Sequence, residues 1–443
     1  MKPKGHAKGR VLRAARPFSV CLALGVVAAG SYAHAQETLL IQPTLPDDFD
    51  RGRNVSVTQR TRPDYDPIGI RVGSMVVLPQ VNVSLGFSDN LYYSKNDRVS
   101  DGFIDVTPSV LARSDWTRHS LTLKGSTTIE RYFSQSLRNQ TPWDLGALGA
   151  LEIGSSFRIL PELQASRQFE TPFSGETAAT TAVLSSYFRG YGGIRGEYEA
   201  GQSKFTLALD KTIYEFSDIE FSNGAFVNQS DRDRDLTRIT GQAQYAFTPS
   251  MAVYVQANYT DTVYDNAILL NGDPNRDSHG YRFIAGVNFD LSGLLRGTIG
   301  AGYVKRDFKT FYPSIDGFSA EAKIEYFPSE LTTVTLQLRR VIEDSAIASN
   351  SGFFDTRASL GVDHELLRNL LLRLNGEYAR QNYIDLDAKS DIYRITGGAQ
   401  YLSSNALSFN FNLSYTGRSP SGSTVVGQSF NEFRGLIGVT YKR

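Results

Sequence analysis

Alternation of apolar and polar residues constrains this chain more than any other feature. From Leu407 to Tyr415 every second side chain is apolar, and the residues between them are all small and polar, namely Ser408, Asn410, Asn412 and Ser414. Successive side chains of a β-strand point to opposite faces, so this pattern indicates a strand with one apolar face and one polar face. Three further stretches follow the same pattern: 251–259, 281–289 and 370–378.

A soluble β-sandwich also alternates, but three observations favour a membrane barrel. The predicted strands are commonly ten or more residues long, whereas soluble strands have about five or six. The chain has 23 Tyr and 26 Phe, which often close an apolar row, as in the aromatic girdles of barrels. The polar face carries charges in mid-strand, which suits a water-filled lumen better than a dry core. The sequence therefore predicts an all-β fold, a transmembrane antiparallel β-barrel.

The connections between the predicted strands alternate in length. Eight of them are short turns, such as Asp115-Trp116 and Thr248-Pro249. The nine connections between these turns are in most cases longer, such as 217–231. These connections imply 18 strands, or 16 if two weak strands are misassigned. Both ends of the barrel then lie at the short-turn side, which is the periplasmic side in outer-membrane barrels. The first strand, predicted at 79–88, must pair with the last, predicted at 430–442, because unpaired backbone is costly in lipid.

Residues 1–35 have the composition of a cleaved signal peptide. Six basic residues and no acid accompany an apolar stretch from Phe18 to Ala29, and Ala33-His34-Ala35 is a small-x-small cleavage pattern. The whole chain has 46 basic and 46 acidic residues, so removing six basic ones leaves 40 against 46, a net charge of −6. This balance argues against a nucleic-acid partner, which would require a basic face.

The segment from Gln36 to Gly73 shows neither strand nor helix periodicity. It contains Pro43, Pro46, Pro63 and Pro67 among several charged residues. We interpret 36–73 as an extended periplasmic arm and 74–443 as the barrel domain. Two roles stay open for the arm: its end folds into the lumen, or it docks onto a periplasmic partner.

Residues capable of catalysis or metal binding are few. The histidines His119, His279 and His364 are scattered and lack zinc-site spacing. Cys21, the single cysteine, lies in the signal peptide. The acidic stretches 231–235 and 271–277 could supply calcium ligands but lack the helix-loop-helix calcium pattern, so we favour solvated loop tips. We expect no enzyme activity, no cofactor and no metal.

The polar faces carry charges of both signs. A lumen of one sign would indicate ion selection, whereas a mixed lumen indicates polar cargo or a laterally paired wall. Tyr254, Tyr264, Tyr303 and Tyr383 could stack on sugars, although we favour the membrane interface for most of them. The residues predicted to line the lumen are Arg282, Asn288, Arg339, Arg373, Asn375, Glu377, Asn410 and Asn412.

Three segments near the start of the barrel carry a family resemblance. Residues 62–74 precede the first strand, Ser88-Asp89-Asn90-Leu91-Tyr92 ends it, and 114–119 form the first short turn. Together they resemble the outer-membrane β-barrel porins, second type, of proteobacteria, over roughly residues 60 to 443. The family defines no catalytic residues. Lys442 and Arg443 follow the last aromatic residue, a departure from the usual terminal Phe.

The resemblance implies a cargo that the residues alone do not indicate. Members of this family are often associated with export of capsular polysaccharide or exopolysaccharide, together with a periplasmic polysaccharide-export protein. Our first hypothesis is therefore a passive conduit in the outer membrane, embedded in its lipid, for a secreted polysaccharide. The alternatives are a general or substrate-selective diffusion porin and a structural or adhesive barrel.

Overall fold

A computed structural model describes residues 55–171, 173, 183–220, 225–291, 293–345, 347 and 350–443. The predicted signal peptide, 1–35, and the beginning of the predicted arm, 36–54, lie outside the described residues. Within the described ranges, none of the helices has the length and apolar character needed to cross a membrane.

The described chain forms one barrel of 18 antiparallel strands, with the third strand interrupted at Thr128. The strands β1 to β18 are, in order, Met75–Ser88, Asp101–Ser114, the pair Ser120–Thr127 and Ile129–Tyr132, Trp143–Ile153, Phe157–Phe169, Ser186–Ala200, Ser203–Phe216, Arg234–Thr248, Met251–Tyr264, Ser278–Leu291, Leu295–Phe308, Ile315–Ser329, Thr332–Glu343, Phe353–Leu367, Leu370–Tyr383, Ala388–Leu402, Leu407–Gly422 and Phe430–Lys442.

Smaller elements flank the barrel. A short strand, Ile70–Val72, pairs with the beginning of β1 and lies in the segment that we interpreted as an arm. One long loop carries the two-residue strands Ile219–Glu220 and Phe226–Val227. Two short 3-10 helices span Ser136–Arg138 and Ser230–Arg232.

The barrel closes through the first and last strands. β1 pairs antiparallel with β18, with Val83 opposite Val439. This pairing satisfies the backbone groups that would otherwise be open edges in lipid. The predicted 18 strands and the closing pair are confirmed. The short turns lie at one end of the barrel, here called the short-turn end, and the remaining connections lie at the long-loop end.

Several strand boundaries differ from the predictions by one to five residues, and three of them are informative. β1 begins at Met75 instead of residue 79, because its first residues pair with both β2 and Ile70–Val72. The third strand, predicted as continuous over 117–132, begins at Ser120 and is interrupted. β17, predicted to end at 417, continues to Gly422 because β16 pairs with it over that length.

The outer face of the barrel is apolar over its middle. Leu85, Phe411 and Ile437 lie in one row across β1, β17 and β18, and all three side chains are largely exposed. An apolar surface of this extent on a soluble protein would be a strong aggregation hazard. It is instead the surface that a bilayer solvates.

Glycines on the inner face let aromatic rings lie flat against the wall. A Cβ built on Gly86 would lie 2.1 Å from the ring of Phe103. A Cβ on Gly300 would lie 2.2 Å from the hydroxyl oxygen of Tyr254, which also covers Gly286. These positions therefore require glycine because of the close approach of the rings.

The clusters of buried apolar residues that the structure describes lie inside the long-loop half of the barrel. One cluster joins Tyr187, Tyr214, Phe216 and Leu236 at the long-loop ends of β6 to β8. Another joins Phe353, Tyr383, Ala388 and Val426. The lumen is thus packed with side chains and loops at this end, and the polar wall continues below toward the short turns.

Candidate functional site

The candidate site is the inner wall of the barrel. Strand pairing places the eight residues predicted to line the lumen on this face, because cross-strand partners share a face. Each of them lies next to another inward residue on a neighbouring strand. Arg339, for example, lies opposite Arg357, and Asn375 lies opposite Thr396. The eight are Arg282, Asn288, Arg339, Arg373, Asn375, Glu377, Asn410 and Asn412.

Two of the eight belong to one ion-pair network across β13, β14 and β15. Arg339 contacts Glu343 at 3.2 Å and Asp355 at 2.9 Å. Arg357 contacts the same Asp355 oxygen at 2.6 Å and Glu377 at 3.6 Å. Asp355 is fully buried. The two guanidinium groups that flank its carboxylate offset the free-energy cost of removing that charge from water.

A second inner ion pair spans two strand spacings. Arg282 on β10 donates to Ser319 at 2.7 Å and to Glu321 at 3.0 Å, both on β12. Gly300 and Gly302 on the intervening β11 have no side chains, which leaves a path for the guanidinium. Arg238 of β8 and Asp210 of β7 form an inner ion pair at 2.9 Å between directly opposite residues of neighbouring strands.

The remaining predicted residues lie elsewhere on the wall. Asn410 donates to Thr440 at 2.7 Å, and Thr440 donates to Asn82 at 3.0 Å, so this chain crosses the closing seam. Asn288 donates to Gln244 at 3.1 Å. Arg373 pairs with Asp363 at 2.7 Å and is largely exposed to the lumen. The wall is therefore laterally paired, with both charge signs along its length.

Phe173 is a site residue that the sequence reasoning missed. It follows β5, yet its contacts lie on β14, β15 and β16, about nine strands away around the ring. Its carbonyl accepts hydrogen bonds from Arg357 at 2.8 Å and Gln381 at 3.3 Å. Its ring faces the guanidinium groups of Arg394 at 4.5 Å and Arg357 at 5.4 Å.

This contact places a side chain from one wall against the opposite wall. Phe173 is 1% exposed and packs on Ala379 and Ile392. Cation–π contacts of buried arginines contribute favourably, so the contact is well anchored. The only sequence signal was an aromatic residue inside a polar connection, which gives no indication of where it docks.

An arginine cluster holds the connection between β13 and β14 inside the long-loop end. Asp344 contacts Arg234 of β8 at 3.0 Å and Arg306 of β11 at 2.6 Å. Arg276 donates to the carbonyls of Ser345, Ile347 and Asn350. Burial alone would raise the pKa of Asp344, but the three guanidinium groups lower that pKa well below its usual range.

Three of the four tyrosines considered for sugar stacking face inward. Tyr254, Tyr264 and Tyr383 are at most 5% exposed, and only Tyr303 lies on the outer face. The interpretation of most of them as interfacial residues is therefore wrong. The reason is strand parity: each of the three lies in register with inward residues such as Arg234.

The histidines and loop acids have local contacts. His364 and Thr332 are hydrogen-bonded at 2.9 Å, and His119 accepts from the Glu152 amide at 3.2 Å. Asp273 bonds within its own turn with Asn271. Among the residues that the structure describes, no group of three or more His, Cys, Asp or Glu has an arrangement that could hold a metal ion.

A closed barrel with an apolar outer belt and a polar, ion-paired lumen defines an outer-membrane β-barrel protein of the porin and transporter type. The family described as "Putative beta-barrel porin 2" matches residues 62–443, and the chain belongs to this family. The protein is therefore located in the outer membrane, in contact with its lipid. No curated protein gives a significant match to the chain.

Solved outer-membrane barrels resemble the chain at low identity. A BenF-like porin from Pseudomonas fluorescens Pf-5 is 10% identical with a TM-score of 0.45, over 84% of this chain and 100% of that one. OccK2 (OpdF) from Pseudomonas aeruginosa is 11% identical with a TM-score of 0.44, over 83% and 96%. The siderophore receptor PirA from Acinetobacter baumannii is 9% identical with a TM-score of 0.43, over 82% and 80%.

Proposed function

We propose that this protein is a passive pore that admits small polar solutes across the outer membrane. The observation that carries the proposal is the inner wall, whose arginines and carboxylates are paired side by side along the lumen. Such a wall solvates polar molecules but presents no single charge sign, so it suits neutral or zwitterionic solutes better than one class of ion. Barrels of this strand number enclose an aqueous channel.

The contact made by Phe173 supports the proposal that the solute is small. A side chain docked against the opposite wall divides the cross-section at that depth. The network of Arg339, Asp355, Arg357 and Glu377 lies on the same wall. We propose that these residues line the narrowest passage, and that Arg282, Asn288, Arg373, Asn375, Asn410 and Asn412 line the wider wall around it.

Polysaccharide export, our first hypothesis from sequence, receives less support from this geometry. A hydrated polymer must keep a wide and continuous path through the barrel. The loops packed into the long-loop half and the Phe173 contact both reduce that path. The diffusion porin is therefore the function that we place first, and export is an outcome that the following experiment can detect.

Swelling of proteoliposomes in sugars of increasing size tests the proposal. We expect rapid swelling with pentoses and hexoses, slow swelling with disaccharides, and none with long oligosaccharides. Phe173→Ala should speed disaccharide entry, because the docked ring is removed. Phe226→Ala is the matched control, since Phe226 lies in a long loop and is 68% exposed.

Three results would count against the proposal. Equal disaccharide rates in the wild type and Phe173→Ala would remove Phe173 from the passage. Ready entry of long oligosaccharides into wild-type vesicles would favour the polysaccharide conduit. Absence of swelling with any sugar, in vesicles whose protein is correctly inserted, would favour a structural or adhesive barrel.

A further inference from the structure

Within the described part of the arm, residues 56–66 fold into a compact unit. The amides of Gln59 and Arg60 donate to the carbonyl of Ser56 at 3.0 Å, and those of Tyr65 and Asp66 donate to the carbonyl of Arg62 at 2.7 Å. The Arg62 amide donates to the Asp66 carboxylate at 2.6 Å. Two consecutive turns closed by backbone hydrogen bonds, the second also by the Asp66 carboxylate, are an ordered structure and not an extended linker.

This unit, here called the arm plug, is seated on the inner wall at the short-turn end. The Val57 amide donates to the Thr333 hydroxyl of β13 at 3.0 Å. Val57 is 1% exposed and Thr333 is 2% exposed. Strand pairing places Thr333 opposite Asp363, which faces the lumen. The contact is therefore inside the barrel and not on its rim.

Arg62 fastens the arm plug to Glu365 of β14. Its guanidinium donates to the Glu365 carboxylate at 2.6 Å and to the carbonyls of Val57 and Arg60 at 3.0 and 3.1 Å. Arg60 contacts the same carboxylate at 3.4 Å and the carbonyl of Glu330 in the adjacent short turn. Arg62 and Glu365 are both nearly buried, so loss of Glu365 leaves the Arg62 charge uncompensated, and loss of Arg62 leaves Glu365 with Arg60 as its remaining partner.

The chain then crosses the mouth to reach β1. From β14 to β1 there are five strand spacings through β18, which is about 24 Å of wall at about 4.8 Å each. Ile70–Val72 then pairs with the beginning of β1. Residues 56–72 therefore extend over a substantial part of the short-turn mouth.

We propose that the arm plug is a built-in restriction of the pore, held at the short-turn mouth by the Arg62–Glu365 ion pair. The inference rests on the proposed pore function and adds to it a second narrowing, independent of Phe173. Release of the ion pair frees the plug from the wall and widens the mouth. The plug thus lowers the resting permeability of the barrel in addition to the passage at Phe173.

Charge reversal tests the ion pair in the full mature chain. Arg62→Glu and Glu365→Arg should each raise the rate of proteoliposome swelling with a pentose, by about threefold or more. The double variant, with both charges reversed, should return toward the wild-type rate. Arg71→Glu is the matched control, because Arg71 pairs with Asp115 on the exposed side of the same region and both side chains are more than half exposed.

A disulfide provides a second test that does not remove the buried charges. The mature chain has no native cysteine, so Val57→Cys with Thr333→Cys gives one crosslink. We expect the oxidised, crosslinked protein to give slow proteoliposome swelling with a pentose. After reduction the swelling rate should be no slower than that of the wild type. When Arg62→Glu is crosslinked in the same way, its increased swelling rate should return to a slow rate.

The outcomes separate the plug from the pore. Equal swelling rates for the wild type, Arg62→Glu and Glu365→Arg, together with equal rates for the oxidised and reduced forms of the crosslinked Arg62→Glu variant, would overturn the plug while leaving the pore intact. A double variant as fast as the single variants would show that the gain came from unfolding of the arm and not from the pair. Absence of swelling in every variant would overturn the pore itself, and the plug with it.

Discussion

Arginine placed on the two faces of β17 should have very different effects on stability. Phe411 lies on the outer face between Ala399 and Ile437, and Asn412 lies on the inner face opposite Gly398. The two residues are adjacent, so strand, depth and loop context are matched. We compare Phe411→Arg with Asn412→Arg.

The expected magnitude follows from the depth of Phe411. It is four residues from Leu407, opposite Tyr441, and four from Tyr415, opposite Phe433. At about 3.3 Å per residue this is about 13 Å of strand to each aromatic level. A tilt of about 40° reduces it to about 10 Å of depth, close to half of the apolar band of about 25 Å. Phe411 therefore lies near the bilayer midplane, where arginine costs about 2–4 kcal/mol.

Asn412→Arg adds a charge to a wet, ion-paired face and should change stability by less than about 1 kcal/mol. The assay is urea-dependent folding into lipid vesicles, followed by the shift between folded and unfolded bands in unboiled gel samples. Equal destabilisation by the two substitutions would refute the assignment of faces. Equal tolerance of both would mean that β17 does not contact lipid at this depth.

Three further predictions follow from the loops and the wall. A cysteine at Asn228 should react with an impermeant thiol reagent on intact cells, whereas one at Pro249 should react only after the outer membrane is breached; the reverse pattern would invert the barrel. Since the pKa of Asp344 is lowered in the fold, its stabilisation is present above about pH 3.9 and is lost at lower pH; proteolysis next to Asp344 and Ser345 should stay slow down to about pH 4 in the wild type and should be faster at every pH in Asp344→Asn, and equal rates in the two proteins would contradict this role. Gly300→Val should lower stability by about 1–3 kcal/mol, measured by urea titration, because its Cβ would meet the Tyr254 hydroxyl at 2.2 Å; an unchanged midpoint would show that the ring moves freely.

The barrel could be predicted from sequence because a bilayer imposes a simple rule on each strand. Outward residues within the lipid must be apolar, so the alternation around Phe411 and Asn412 indicates both the strand and its faces. Hydrogen-bond closure then requires that β1 and β18 meet. Strand ends were less accurate, as at Met75 and Gly422, because pairing can continue beyond the lipid, where no apolar pattern is needed.

The contacts that shape the passage could not be predicted in this way. Phe173 and Gln381 are 208 positions apart, and Arg62 and Glu365 are 303 apart. Neither contact has a periodicity, because a loop or an arm that enters a lumen is not constrained by strand geometry. From the sequence, a wall of lateral ion pairs was only one of two interpretations of the mixed charges. The partners could not be named, because each depends on strand register and on residues without side chains, such as Gly302.

Single-channel recording in planar bilayers tests the central claim most directly. The purified mature protein should produce stepwise conductance with a linear current–voltage relation. In a tenfold KCl gradient its reversal potential should lie close to zero, because the charges along the wall are paired and of both signs. Inserted protein that gives no conductance steps, either as wild type or as Arg62→Glu, would contradict the account of this barrel as an open, polar pore.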